Sequence, residues 1–259
     1  MTKEKIRIAF FDIDGTLIKF HAKEPTEKVR DTIRQLQGQG ILCFASSGRP
    51  PYIIPDFGFD GLVCFNGGMA ELIDGTILFE KPMEPKEVKE FVSECAAKGH
   101  GVIIAGEKKM GANFFDQALD DYMTTASQHC VPDPDFNKMI KEPVFQIMVA
   151  LPMDQRDAIV EKYPHLDHTS WHPVACDITA VGTAKGEALK AVCEKLHIPV
   201  SESIAFGDAA NDLSMLEAAG IGVAMGNAQD IVKEKADRIT EAVEEDGVYT
   251  EFKRMGYVE

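Results

Sequence analysis

Residues 6–11 form a short, almost wholly apolar run that stops at Asp12, the pattern of a strand buried on both faces of a parallel sheet. After it, Val29, Ile33 and Leu36 recur at helical spacing behind Thr26, a candidate N-cap, and Gly38 and Gly40 are placed to end the helix. Apolar runs at 41–45 and 62–65 predict two more strands. Strand, helix and strand joined by short links predict a doubly wound α/β sheet.

The pattern then shifts. Asn66-Gly67-Gly68 and Asp74-Gly75 bracket an apolar run at 69–73, and another at 76–79 follows, which predicts a hairpin-like excursion. Next, residues 85–98 predict a helix that buries Val88, Phe91, Val92 and Cys95. Strands are predicted at 102–105, 144–151 and 174–178, and a helix at 154–162. From Ala184 the first pattern resumes: helix 184–197, strand 204–206, helix 211–219 stopped by Gly220, and strand 221–224. The prediction is an α/β fold with a mainly parallel, Rossmann-like core from residues 1–81 and 180–259. An inserted α/β domain over 82–179 interrupts that core.

Composition narrows the function. The chain has 259 residues, 45% apolar and 27% charged, as soluble globular proteins do, which argues against a collagenous or largely disordered chain. No apolar stretch approaches the roughly 20 residues of a membrane helix. The charged N-terminus, followed by a run broken at Asp12, reads as neither signal peptide nor anchor. A cytoplasmic protein without a membrane partner is expected. The formal net charge is −15, and no segment gathers Lys and Arg as a phosphate-tracking nucleic-acid binder does. Nucleic acid is therefore not an expected partner, and an anionic substrate has to be met by a few placed cations or by a metal. The six cysteines form no Cys-x-x-Cys pair and read as reduced, buried thiols.

Four loops carry candidate chemistry. Asp12-Ile13-Asp14-Gly15-Thr16 directly follows the first predicted strand, and in open α/β sheets ligands bind beyond the carboxyl ends of strands. Two carboxylates two positions apart face the same way in an extended chain and repel unless a cation or a proton intervenes. The alternative is an Asx turn that closes the strand. Ser47, Gly48 and Arg49 end the second strand and offer a hydroxyl, a backbone N–H and a guanidinium to a phosphate oxygen, or else form a plain loop. Lys185 opens a helix, where a cation is unfavourable against the dipole unless an anion shares the site; the alternative is a solvent-facing lysine. Gly207-Asp208-Ala209-Ala210-Asn211-Asp212 adds two carboxylates past a strand end. Asp208 suits a hard-oxygen Mg2+ site, and helix capping is the other reading of Asp208 or Asn211.

In this order the four loops resemble the haloacid dehalogenase-like (HAD) superfamily of phosphohydrolases. Ser47-Gly48-Arg49-Pro50, Asn66-Gly67-Gly68, the Lys185-Gly186 helix start, Asp212-Leu213-Ser214-Met215-Leu216 and Ala224-Met225-Gly226-Asn227-Ala228 narrow the resemblance to Cof-type phosphatases with a class IIB α/β cap. The chain departs from the common pattern at Ser47, where threonine is commoner, and at Ala209, where glycine is common. The resemblance implies a Mg2+-dependent phosphatase that hydrolyses small phosphorylated metabolites, sugar phosphates foremost, through an aspartyl phosphate. It implies Asp12 as nucleophile and Asp14 as the acid that then serves as base. Asp12, Asp14 through its backbone carbonyl, and Asp208 become Mg2+ ligands, with Asp212 in support. Ser47, Gly48, Arg49, Lys185 and Asn211 become holders of the substrate phosphoryl group. The insert would act as a lid, with Lys108, Lys109 and the Trp171-His172 pair as candidates there, set against a solvated turn and a cap core. A phosphotransferase of the phosphomannomutase type and a non-catalytic phosphometabolite-binding protein are the alternatives, and a monomer or homodimer is expected.

Overall fold

The computed structural model describes residues 4–19, 22–125 and 128–259. The first half of the chain forms β1 (Ile8–Phe11), α1 (Glu27–Gly38), β2 (Leu42–Ser46), β3 (Gly61–Cys64), β4 (Met69–Leu72), β5 (Ile77–Glu80), α2 (Pro85–Ala97), β6 (Val102–Gly106), β7 (Met110–Ala112) and α3 (Gln117–Thr124). The second half forms α4 (Phe136–Met139), β8 (Val144–Val149), α5 (Met153–Val160), β9 (Leu166–His172), β10 (Ala175–Ala180), α6 (Lys185–Lys195), β11 (Ser203–Gly207), α7 (Leu213–Ala218), β12 (Ile221–Ala224), α8 (Asp230–Lys235), β13 (Arg238–Ile239) and α9 (Gly247–Arg254). These elements fall into two compact units. One comprises the chain up to Arg49, Ile54–Glu80 and Ala184–Glu259; the other comprises Pro50–Ile53 and Lys81–Thr183.

The first unit is built on an eight-stranded sheet in the order β13-β12-β11-β1-β2-β3-β4-β5. Strands β13 through β3 are parallel, and the predicted hairpin adds β4 and β5 antiparallel at one side. β1 lies between β11 and β2 and is covered on both faces, which is why Ile8–Phe11 shows no polar alternation. Phe11 stacks on Phe206 with ring centroids 5.5 Å apart, and Phe10 meets Phe44 at the same distance. Phe11 is in register with Ala45 on one side and Phe206 on the other, so the loops after β1, β2 and β11 leave the sheet at one level. The strand order reverses around β1, the switch point at which open α/β sheets bind ligands.

Two parts of this unit differ from the prediction. The helix expected at 211–219 starts as a tight turn at Ala210–Asp212, and α7 begins only at Leu213. The cause is Asp212, whose carboxylate accepts from the backbone N–H groups of Asp208 and Ala209 at 3.0 Å each. Beyond residue 225, α8, β13 and α9 form where no element was predicted. α9 has only eight residues, so its helical spacing rests on the single pair Val248 and Phe252. Its Phe252 ring nevertheless packs 5.3 Å from Phe206.

The second unit holds a five-stranded antiparallel sheet in the order β7-β6-β8-β10-β9. Val88, Phe91 and Cys95 of α2 pack with Val102, Ile104, Ile147, Val149, Cys176 and Ile178, alternate positions that share one face. β9 went unpredicted because it is an edge strand, largely polar in sequence. Lys109 pairs with Asp133 at 2.8 Å beside the β6–β7 turn. The side chains of Trp171 and His172 lie outside the described residues. Among the described residues no helix is long and apolar enough to cross a membrane.

The other face of this sheet carries Asp177, in register with Met148 and almost fully buried. Burial raises its carboxyl group from 3.8 to about 6, against the opposing effect of hydrogen bonds from Tyr122 and Gln146. Burial penalises the ionised form. The residue therefore costs nothing below pH 3.8, costs more as the pH climbs to about 6, and a constant amount above that. Asp177→Asn is expected to stabilise the protein at pH 8 by up to about 3 kcal/mol. At pH 3.5 it should change little. Urea unfolding at the two pH values checks this, and equal effects at both would mean that Asp177 ionises in the folded protein without penalty.

Candidate active site

The backbone N–H of Asp12 donates to the Phe206 carbonyl at 3.0 Å, carrying the β1–β11 ladder one residue past the strand and fixing the Asp12 side chain at the sheet end. The chain then turns at Gly15, whose φ is +85° and where a Cβ would sit 2.4 Å from Asp208 Oδ2. Only glycine meets both conditions. Asn227 fastens this loop: its Nδ2 donates to the Gly15 carbonyl at 2.8 Å, and its Oδ1 accepts from Val243 N–H at 2.8 Å. Thr16 Oγ1 lies 3.5 Å from Asp208 Oδ1 as a donor.

Lys185 is the first residue of α6 and its side chain is wholly buried. Its Nζ donates to Asp12 Oδ1 and to Asp212 Oδ1, each at 2.6 Å. The solvent-facing reading of this lysine is thereby excluded. An ammonium at a helix N-terminus is tolerated here because two carboxylates hold it. The start of α6 is itself pressed against Gly67, where a Cβ would fall 2.2 Å from the Ala184 carbonyl oxygen.

Asp12, Asp208 and Asp212 are all buried, and each offers an oxygen within 4.8 Å of the others. Three carboxylates thus face one ammonium. Burial first, then the charge of Asp212, raises Asp12 to about 8 in spite of Lys185. The same two causes raise Asp208 to about 7. Burial by itself would lower Lys185, but Asp12 and Asp212 more than offset it and lift it above the usual lysine range. This is a cluster of hard oxygen donors short of positive charge, and a divalent cation fits it. Asp212 has both oxygens engaged, one by Lys185 and the other by two backbone N–H groups. Among the described residues, Asp12 and Asp208 are the members with an oxygen left over.

The other predicted residues lie around this cluster. Asp14 is half exposed, and Arg49 Nη2 donates to both its carboxylate oxygens at 2.8 and 2.9 Å. Ser47 is buried; its N–H donates to the Val63 carbonyl at 2.8 Å and its Oγ accepts from Arg49 N–H at 3.2 Å. Asn211 Nδ2 donates to Asn66 Oδ1 at 3.1 Å. The structure thus joins Asp12, Lys185 and Asp212 directly, places Asp208 beside them, and pairs Arg49 with Asp14 rather than leaving it free. Asn66 and Asn227 stood in the sequence only as letters of a motif. The signal for both was an asparagine next to glycine just past a strand end.

Gly15→Ala is expected to fold but to lose activity by about 100-fold or more, because the added methyl group displaces the Asp208 carboxylate. Near-normal turnover would show that the loop relaxes without moving Asp208.

A family model described as haloacid dehalogenase-like hydrolase matches residues 9–252. The chain belongs to the haloacid dehalogenase-like hydrolases. This HAD chain is 30% identical over 256 residues to YkrA of Bacillus subtilis (strain 168), with 96% of this chain and 98% of YkrA covered. It is 28% identical over 250 residues to the 5-amino-6-(5-phospho-D-ribitylamino)uracil phosphatase YcsE of the same organism, covering 94% and 93%. Among solved structures it is similar to BT1666 from Bacteroides thetaiotaomicron, a phosphatase of the HAD superfamily, at a TM-score of 0.88 and 26% identity, covering 99% and 97%. It is also similar to the HAD subclass IIB sugar phosphatase BT4131, at a TM-score of 0.83 and 26% identity, covering 97% and 100%. The mixed α/β core with a separate antiparallel sheet is the HAD fold with a cap domain, and the chain is an HAD-type phosphatase.

Proposed function

We propose that this HAD phosphatase uses Mg2+ and hydrolyses small phosphorylated metabolites, sugar phosphates foremost, through an aspartyl phosphate on Asp12. The observation that carries the reading is the Lys185 bridge from Asp12 to Asp212 beside Asp208, at the shared end of β1 and β11. Two relatives support the substrate class. A sugar phosphatase and a phospho-D-ribitylamino uracil phosphatase both act on a phosphate ester of a polyhydroxylated carbon skeleton.

A carboxylate oxygen of Asp12 attacks phosphorus in line, and the bond to the leaving oxygen breaks. Asp14 gives its proton to that oxygen. The Asp14 carboxylate then takes a proton from water, whose oxygen attacks the phosphorus, releases phosphate and restores Asp12. Mg2+ would be held by Asp12, Asp208 and the Asp14 carbonyl, and when bound it supplies the positive charge that offsets repulsion between a carboxylate and a phosphate dianion. Ser47, the Gly48 N–H, Lys185 and Asn211 hold the phosphoryl oxygens. Arg49 belongs to the same set and pairs with Asp14. Asp212 keeps Lys185 and the Asp208 backbone in place. These loops offer few groups beyond those that would hold a phosphoryl group, so recognition of the rest of the metabolite is assigned to the inserted segment 82–179, acting as a lid.

A panel of phosphorylated metabolites assayed with Mg2+ and with chelator tests this. Turnover is expected to require the metal, and full activity after exhaustive chelation would overturn the metal assignment. Asp14→Asn should lose about 10²–10⁴-fold with alkyl phosphates, whose leaving oxygen needs a proton. In the first step alone, formation of the aspartyl phosphate read in a single turnover, the loss should be much smaller with acetyl phosphate, and equal losses in that step would remove Asp14 as the acid.

A further inference from the structure

Phe65, Asn66 and Gly67 take three successive left-handed backbone conformations, with φ of 54°, 55° and 98°. For a phenylalanine this costs roughly 1–2 kcal/mol, and such strain persists only where the surroundings impose it. Here they do. Phe65 N–H donates to the Arg49 carbonyl at 3.1 Å and Asn66 N–H to the Ser47 carbonyl at 3.0 Å, while the Phe65 ring is wholly buried. Gly67 is wedged against the Ala184 carbonyl, one residue before Lys185. One corner therefore sets the spacing of the Ser47–Arg49 loop and the start of α6.

The Asn66 side chain emerges from this corner between two groups already assigned to the phosphoryl site. Its Oδ1 accepts from Asn211 Nδ2 at 3.1 Å. Its amide lies beside Gly48, where a Cβ would approach Nδ2 to 3.0 Å and Oδ1 to 3.1 Å. An asparagine amide has two N–H donors, and those of Asn66 have no protein acceptor among the described residues. The bond from Asn211 also fixes the orientation of that amide, leaving its second N–H as a donor.

We propose that Asn66 is a further phosphoryl-binding residue, donating from Nδ2 to a phosphoryl oxygen beside the Gly48 N–H and orienting the Asn211 amide for the same group. The inference rests on the phosphatase reading above. It explains why a strained corner is kept: left-handed backbone at 66 aims a side-chain amide back over the Ser47–Arg49 loop. Asparagine is among the few residues with a side chain that adopt this backbone readily.

The test is binding of inorganic phosphate to the Mg2+-loaded full chain by calorimetry, with Asn66→Gly and Asn66→Asp. Glycine keeps the left-handed backbone and removes the amide; aspartate keeps the shape and removes the donor. Both variants are expected to bind phosphate about tenfold or more weakly, the range for one hydrogen bond to a charged group. Asn66→Gly should keep the wild-type melting temperature. In the double variant Asn66→Gly/Asn211→Ala the loss should be smaller than the product of the single losses, because the two amides are coupled. Wild-type affinity in Asn66→Gly overturns the proposal. So does a loss confined to Asn66→Asp, which is the signature of an introduced charge. Wild-type protein that binds no phosphate and hydrolyses no ester sinks the phosphatase reading itself, and this inference with it.

Discussion

Asp12→Asn is expected to lose turnover by about 10⁴-fold or more and, without metal, to be at least as stable as the wild type. The amide is nearly isosteric and its Oδ1 can still accept from Lys185, so the fold is undisturbed. It has no nucleophilic carboxylate with which to form the phosphoenzyme. The gain in stability follows from charge. Asp12 is raised from 3.8 to about 8 by burial and by Asp212, so its ionised form is penalised in the folded protein. That penalty is absent below pH 3.8 and grows until about pH 8. In chelator the variant should therefore melt above the wild type at pH 7.5 and with it at pH 4. Mg2+ should stabilise the wild type more than the variant, since the variant lacks one ligand charge. Residual activity within tenfold of wild type would remove Asp12 as nucleophile. An unfolded variant would show that the carboxylate is structural.

How much of this was legible in the sequence depends on where the partners lie. The paired carboxylates Asp12 and Asp14 were visible because an apolar run buried on both faces ends on them. α1 was legible down to its cap, since Thr26 accepts from Val29 N–H at 3.3 Å within its own first turn. Lys185 was not legible by itself. Its partners lie 173 and 27 positions away, and a lysine at a helix start with no visible anion reads as a surface residue. Only the resemblance of the ordered loops gave it a role. Arg49 was read as a phosphate cation, and no local pattern shows that it meets Asp14, 35 positions away. β9 and α9 escaped for a different reason. A largely polar edge strand shows no apolar alternation, and a two-turn helix shows its period only in the single pair Val248 and Phe252. Asn66 and Asn227 act through backbone groups of distant loops, which periodicity does not encode at all.

Lys185→Met should be inactive and, unlike Asp12→Asn, clearly less stable than the wild type. Methionine keeps much of the buried stem but removes the ammonium between Asp12 and Asp212, each 2.6 Å from it. Leaving a buried charge without its partner typically destabilises by about 3–5 kcal/mol. The pH dependence identifies the cause. In the wild type Lys185 is raised above its usual value, so its contribution is complete below pH 10.5 and does not vary between pH 5 and 8. In the variant Asp12 and Asp212 face each other with nothing between them, and the burial and the Asp212 charge that already raise Asp12 act on it without the offsetting ammonium. The destabilisation should then be modest at pH 5 and full at pH 8. Removing one of the two carboxylates should relieve it, so that Lys185→Met/Asp12→Asn is more stable than Lys185→Met alone at pH 8. Thermal melts of the two variants in chelator at both pH values decide the matter. If Lys185→Met matches the wild type at pH 8, or if adding Asp12→Asn destabilises it further, the lysine is held by packing rather than by charge. The electrostatic account of the site would then have to be rebuilt around Asp208.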